Sequence, residues 1–255
     1  MPLLQARNLS LHVAGRVLCA NLNVEFQAGE NWVILGANGS GKTTLLHTLA
    51  GLRAPDAGHV DLDGQPIHSL PYRARAKRLG ILLQDSETAF PATVLETVLT
   101  GRHPHLKPWQ WEGAEDRNLA EKALISVGLS GMTARSLGTL SGGERRRVEI
   151  ATLLTQDAPL CLMDEPTNHL DLRHQAEILG LLSARAHRPA HANIFVLHDV
   201  NLATRFGTHV MLLFGDGSHR HGPMRDVVKL EALEKLYQCR LREVRDHEGV
   251  WYLPN

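Results

Sequence analysis

Two short stretches of this sequence carry residue types suited to chemistry on a phosphate group. The first, Gly36-Ala37-Asn38-Gly39-Ser40-Gly41-Lys42-Thr43, fits the pattern G-x-x-x-x-G-K-[ST]. Glycines let successive backbone N–H groups turn inward around phosphate oxygens, and a helix opening behind them adds the partial positive charge of its N-terminus. In such a loop Gly36, Asn38, Gly39, Ser40 and Gly41 cradle the phosphates, with Thr44 just behind. Lys42 reaches the β- and γ-phosphates, and the Thr43 hydroxyl ligates Mg2+. The second stretch is the apolar run Leu160-Cys161-Leu162-Met163, which ends in Asp164-Glu165. Neighbours on a strand point to opposite sides, so the two carboxylates are expected to do different jobs. Asp164 would hold Mg2+. Glu165 would polarise an attacking water, its pKa raised by burial at the strand end.

A third stretch, Leu140-Ser141-Gly142-Gly143-Glu144, stands before a basic, amphipathic helical pattern. Ser141 is a natural N-cap, and the paired glycines expose backbone N–H groups at a second helix N-terminus. One chain thus carries two phosphate-seeking devices. On that helix Arg145, Arg146 and Arg147 point to different faces between Glu144 and Glu149. This reads as a solvated face with local ion pairs, not as a nucleic-acid surface.

The elements that must position these groups follow from hydrophobic periodicity. Strands are expected at 9–13, 17–26 and 60–63, and fully buried strands at 32–35, 80–83, 160–163 and 194–197. Helical patterns lie at 43–50, 114–127, 143–155 and 172–186. This alternation argues for an α/β fold with a mainly parallel sheet, and the early strands make an antiparallel β side layer. From Gln84 to Pro159 the pattern is helices and loops, an inserted helical subdomain. Residues 215–222 read as a glycine- and histidine-rich turn region, followed by a short helix at 230–237 and a tail. The expected organisation is one domain over 1–255. Its core is 1–84 and 160–229, the insertion is 85–159, and the tail is 230–255.

Composition bounds the function. The 255 residues suffice for a real core, and 27 basic against 27 acidic side chains give no general pull towards nucleic acid or an anionic membrane. Three widely spaced cysteines exclude a disulfide scaffold or zinc ribbon and suit a reducing compartment. The first residues lack the basic start and apolar run of a secretory signal, and no run approaches the roughly 18 to 20 apolar residues of a membrane helix. A soluble cytoplasmic chain is expected. Among 15 histidines, the pairs His103/His105, His187/His191 and His219/His221 have spacings a metal could use. None has a clear third ligand, so no metal beyond Mg2+ is expected.

The order of these motifs resembles the nucleotide-binding subunit of an ABC transporter, over nearly the whole chain. To the phosphate loop, the signature at 140–144 and the Asp164-Glu165 strand it adds three further matches. They are a Q-loop glutamine at Gln84, a D-loop at Asn168-His169-Leu170-Asp171 and a switch histidine at His198. The resemblance implies a P-loop ATPase fold and a head-to-tail homodimer that sandwiches two ATP molecules. Ser141, Gly142, Gly143 and Asp171 would then serve nucleotide bound to the other copy. Lys42, Glu165, His198 and Gln84 would serve hydrolysis, and Thr43, Gln84 and Asp164 would surround Mg2+. One position departs from the pattern: Val13 stands where such subunits usually place an aromatic residue against adenine.

Within that family, Thr93-Val94-Leu95-Glu96-Thr97-Val98-Leu99-Thr100-Gly101-Arg102-His103-Pro104-His105 resembles importers of metal chelates, which take up vitamin B12, ferric siderophores or haem. So do residues 170–175, Glu144 in place of glutamine, Tyr237 and Pro254. This implies docking on two transmembrane permease subunits at the cytoplasmic face of the inner membrane, and an indirect link to a substrate-binding protein. Residues 85–93 are the expected groove for a permease helix. Trp109 and Trp111 either anchor that interface or pack within the insertion. The rivals are a soluble ABC ATPase of ribosomes or nucleic acid and the cassette of an exporter. A single cassette with a short insertion disfavours the first, and residues 101–105 argue against the second.

Overall fold

The computed structural model describes residues 1–84, 91–247 and 249–255. They divide into two units: Met1–Leu70 with Ser183–Asn255, and Pro71–Leu182. In the first, β1 (Leu4–Val13) and β2 (Arg16–Phe26) form a hairpin closed by Ala14 and Gly15, with φ of 49° and 77°. Two left-handed residues give the turn whose twist suits paired strands. β1 starts earlier than expected because a bulge resets its alternation. The register shifts between Ala6 and Leu9, where Asn8 has φ 49°, so that Leu4, Ala6, Leu9 and Leu11 are all buried. Next come β3 (Asn31–Gly36), α1 (Lys42–Leu49), β4 (Ala57–Leu62) and the short β5 (Gln65–Pro66). The antiparallel sheet has the order β2-β1-β4-β5.

The second unit holds α2 (Tyr72–Ala76), β6 (Leu79–Leu82), α3 (Val94–Leu99), α4 (Ala114–Ser126), α5 (Gly142–Gln156), β7 (Leu160–Asp164) and most of α6 (Leu172–Arg185). β6 and β7 pair in parallel, from Leu79 opposite Leu160 to Leu82 opposite Met163. Val98, Leu124 and Leu153 fill the space among α3, α4 and α5. After α3 the chain is stapled to α5. A Cβ on Gly101 would stand 3.0 Å from the Gln156 nitrogen, and Arg102 donates to Asp116 at 2.8 Å and to the Thr155 carbonyl at 3.1 Å. Arg102 therefore braces the packing of this unit.

The chain then returns to the first unit with β8 (Ala192–Val196), α7 (Val200–Phe206), β9 (His209–Leu213), β10 (His219–Pro223), α8 (Met224–Val227), α9 (Leu230–Tyr237), β11 (Leu241–Arg245) and β12 (Val250–Pro254). Here the strand order runs β10-β9-β3-β8, with β3 parallel to β8 and β9 and β10 antiparallel to β9. Every residue of β3 and β8 is buried, the continuous apolar run that a parallel sheet needs.

The region expected as a turn at 215–222 is partly β10. Its polar sequence suits an edge strand, where Pro223 lacks no needed ladder bond. The tail beyond 237 is the β11–β12 hairpin, and 209–213 adds β9, which its short apolar run had not marked as a strand. Among the described residues no helix is long and apolar enough to cross a membrane. All three cysteines are free; burial pushes the Cys19 thiol up to about 12.

Phe195 is fully buried on β8. Phe195→Ala should destabilise the chain by about 3–5 kcal/mol, read from the urea midpoint, and an unchanged midpoint would contradict its place in the sheet core.

Candidate functional site

In the first unit β3 delivers the chain into the glycine loop. Gly39 and Gly41 have φ of 75° and 98°, which favour glycine. A Cβ on Gly36 would stand 2.7 Å from the Leu213 carbonyl and against the Ser40 hydroxyl, so that turn also needs glycine. The Lys42 ammonium donates to the carbonyls of Gly36 at 2.9 Å and Ala37 at 3.0 Å, holding a cation across the loop. The Ser40 Oγ is buried without a hydrogen-bond partner among the described residues. A phosphate oxygen supplies such a hydroxyl with the acceptor it needs. α1, opened by Lys42, Thr43 and Thr44, has Gly41 as its N-cap, no side-chain cap and no acidic residue in its first turn. No side-chain cap or first-turn carboxylate of α1 therefore competes with an external anion at this N-terminus.

In the second unit the acidic strand end differs from expectation in one respect. β7 stops at Asp164, and Glu165 has φ 47° ahead of Pro166. The strand alternation expected to separate the two carboxylates therefore ends at Asp164, and the backbone turns left-handed at Glu165. A residue before proline is already disfavoured in the right-handed helical region. Asp164 is fully buried and Glu165 nearly so. Gln84 Nε2 donates to Glu165 Oε2 at 3.4 Å, and Asn168 Nδ2 makes a short bond to the same oxygen.

Arg146 is the residue whose role sequence reasoning missed. Far from lying on a solvated face, it is 3% exposed. Its guanidinium donates to the carbonyls of Leu83 at 2.7 Å, Asp164 at 2.5 Å and Glu165 at 2.9 Å, and to the Glu149 carboxylate at 2.8 Å. Helical spacing held the signal, because 146, 150 and 153 share the apolar face with Ile150 and Leu153. Arg145 is exposed, as expected for a surface charge.

At the start of α5, Ser141 and Glu144 form a capping box. The Ser141 N–H donates to Glu144 at 2.8 Å and the Glu144 N–H donates to Ser141 Oγ at 3.2 Å. The Ser141 N–H and hydroxyl hold the Glu144 carboxyl below its usual range. Gly143 has a packing reason to be glycine, since a Cβ there would stand 2.8 Å from the His169 carbonyl. That approach brings the 167–170 turn against α5. The result is a hollow of about 460 Å³ whose walls include Ser141, Gly142, Arg147, His169, Asp171 and His174. Asp171 accepts from the His174 N–H and ring nitrogen, both at 2.9 Å, and these hold its carboxyl low.

His198 follows β8 in the first unit with its side chain exposed, just before Asp199, which caps α7 through the N–H groups of Asn201 and Leu202. Val13 is 38% exposed at the β1–β2 tip. Trp109 and Trp111 are 100% and 86% exposed, so neither indole packs within the insertion. Of the expected groove at 85–93, residues 85–90 lie outside the described residues.

A glycine loop feeding an uncapped helix, an acid-ended strand and a second helix capped by serine define a P-loop nucleotide-binding cassette. Residues 19–168 match the family model described as ABC transporter, and the chain belongs to that family. It is 36% identical over 243 residues to the ferric enterobactin transport ATP-binding protein FepC of Escherichia coli, covering 95% of this chain and 90% of that protein. It is 41% identical over 218 residues to the hemin import ATP-binding protein HmuV of Gloeobacter violaceus, covering 83% and 78%. Among solved structures, an inward-facing conformation of a metal-chelate type ABC transporter superposes with TM-score 0.86 at 26% identity, covering 100% of this chain and 98% of that one. A dimeric ATP-binding cassette in a post-hydrolysis state, bound to ADP and Pi, gives TM-score 0.76 at 28% identity, covering 87% and 99%. The α/β architecture with its antiparallel side sheet is the fold of those cassettes.

Arg146→Met should destabilise the chain by about 3–5 kcal/mol in urea unfolding, because three carbonyls and Glu149 lose their common donor. Arg145→Ala should stay within about 0.5 kcal/mol; equal effects would refute the distinction. Glu144 provides a pH test. Its depressed pKa contributes stability above the usual carboxylate range, and that contribution is lost as pH falls through the lowered folded value. Wild type should melt above Glu144→Gln at pH 7, and the gap should close in acid; a gap that persists there would rule out the ionised cap.

Proposed function

We propose that this chain is the ATP-hydrolysing motor subunit of an importer for a metal-chelate cargo, acting as a head-to-tail homodimer. The observation that carries the reading is the presence of two anion-seeking helix N-termini, α1 behind residues 36–41 and α5 behind Ser141. One nucleotide occupies one phosphate loop. The second device finds its nucleotide on another copy of the chain, and two ATP molecules are then shared between two subunits.

On this reading Gly36, Asn38, Gly39, Ser40, Gly41, Lys42, Thr43 and Thr44 hold the triphosphate. Ser141, Gly142, Gly143 and Asp171 complete the site of the partner copy. The oxygen-rich set Thr43, Gln84 and Asp164 suits Mg2+, which neutralises triphosphate charge when bound. Glu165 accepts the proton of the attacking water, its carboxylate oriented by Gln84 and Asn168. His198 contacts the γ-phosphate. Val13 offers the base an apolar contact without a π-face. Residues 1–84 and 160–229 form the nucleotide-binding core, 85–159 the insertion that carries the signature, and 230–255 a tail. Two permease subunits dock at the insertion, with Trp109 and Trp111 as anchors. They keep the chain at the cytoplasmic face of the inner membrane, and a substrate-binding protein hands them the cargo. Relatives named for ferric enterobactin, hemin and cobalamin support this cargo class.

Glu165→Gln should reduce turnover by about 10²-fold or more while an ATP-bound dimer accumulates in size-exclusion light scattering. Monomers alone at saturating ATP and Mg2+ would count against the sandwich. Lys42→Ala should weaken ATP affinity by calorimetry. Uptake of labelled vitamin B12, a ferric siderophore and haem, in a strain lacking the gene and complemented with wild type or Glu165→Gln, tests the cargo class. Dependence of none of the three on the wild-type gene would remove the metal-chelate assignment and leave the ATPase.

A further inference from the structure

The segment after Leu230 holds residues 198–201 from two elements. From α9, the Tyr237 hydroxyl donates to the His198 carbonyl at 3.3 Å. From β12, the Tyr252 N–H donates to Asn201 Oδ1 at 2.8 Å, and Asn201 Nδ2 donates to the Tyr252 carbonyl at 3.2 Å. The asparagine amide thus stands in for a neighbouring strand, pairing with both backbone groups of Tyr252. Asn201 lies in the first turn of α7, capped by Asp199, so the contacts bracket residues 198–201.

The gripping segment is itself one connected piece. Leu233 and Leu236 bury the apolar face of α9, and the Leu241 N–H donates to Glu234 at 2.9 Å, tying the hairpin to that helix. Among the described residues β11 and β12 pair only with each other. The hairpin's backbone-level hold on α7 is the Asn201 pair. Tyr237 stays a hydrogen-bond donor across the working pH range, because burial and the nearby Asp199 push its phenol above the usual value.

We infer that residues 230–255 are a clamp on the switch segment, with Tyr237 and Asn201 as positioning residues that set where His198 presents its imidazole. The clamp touches the backbone of His198 and leaves its side chain exposed. It therefore acts on the hydrolytic step and not on nucleotide capture. This inference rests on the reading of His198 as a group that serves hydrolysis.

Tyr237→Phe removes one hydroxyl and keeps the ring that packs. ATPase kinetics should show kcat lowered about fivefold, equivalent to about 1 kcal/mol of transition-state stabilisation, with KM for ATP and Tm unchanged. Asn201→Ala should give the same split. Leu124→Ala is the control: it lowers Tm through the α3–α5 core, outside the clamp, and should leave kcat intact well below its melting temperature. Wild-type kcat in Tyr237→Phe, or a kcat loss in Leu124→Ala as large as in Tyr237→Phe, overturns the clamp. His198→Ala is measured alongside. If it turns over ATP like wild type, the role of His198 itself is withdrawn; if it is inactive while Tyr237→Phe is not, only the clamp fails.

Discussion

One buried guanidinium organises the unit of residues 71–182. Arg146 reaches out of α5 and collects three backbone carbonyls, one just before Gln84 and two at the end of β7 and the residue beyond. Its charge is tolerated in the interior because those carbonyls and Glu149 replace the water it lost. The consequence is geometric. α5 begins with the serine-capped signature, so Ser141 and the backbone at Asp164 and Glu165 are fastened to the same helix, by hydrogen bonds of 2.5–2.9 Å.

Helix starts follow a division of labour. α3, α5 and α7 have side-chain caps from Thr93, Ser141 and Asp199. α1 begins on Gly41, which has no side chain to offer. The helix behind the phosphate loop starts without a side-chain cap and rests on packing through the buried Leu45, Leu46 and Leu49, whereas α5 is held by its own cap and closely packed at Gly143. The same glycine-rich chemistry is thus open in one place and internally braced in the other.

The phosphate loop, the acidic strand end and the signature were legible in the sequence because their function depends on residue types at fixed spacing. The buried strands β3, β7 and β8 were legible as apolar runs. What escaped had physical reasons. Arg146 looked like one of three surface arginines, since charge composition masks its position on the apolar helix face. The left-handed turn at Glu165 is a backbone angle that no side chain announces. The bulge at Asn8 broke an alternation that would otherwise have marked all of β1. β10 is a polar edge strand, and the terminal hairpin joins the charged strand Leu241–Arg245 to the short apolar run Val250–Pro254, whose five residues are too few to mark a strand by themselves.

The division into two units also fixes an order of events during synthesis. Residues 71–182 are one uninterrupted stretch and emerge from the ribosome together. The other unit needs both ends of the chain, and β3 is flanked in its sheet by β8 and β9, which are made more than 150 residues later. At translation speeds of about 5–20 residues per second, that is on the order of ten seconds in which a strand with four consecutive apolar residues, Trp32 to Leu35, has neither edge covered. During that interval the phosphate loop, carried on β3, lacks the two strands that flank its support in the finished sheet.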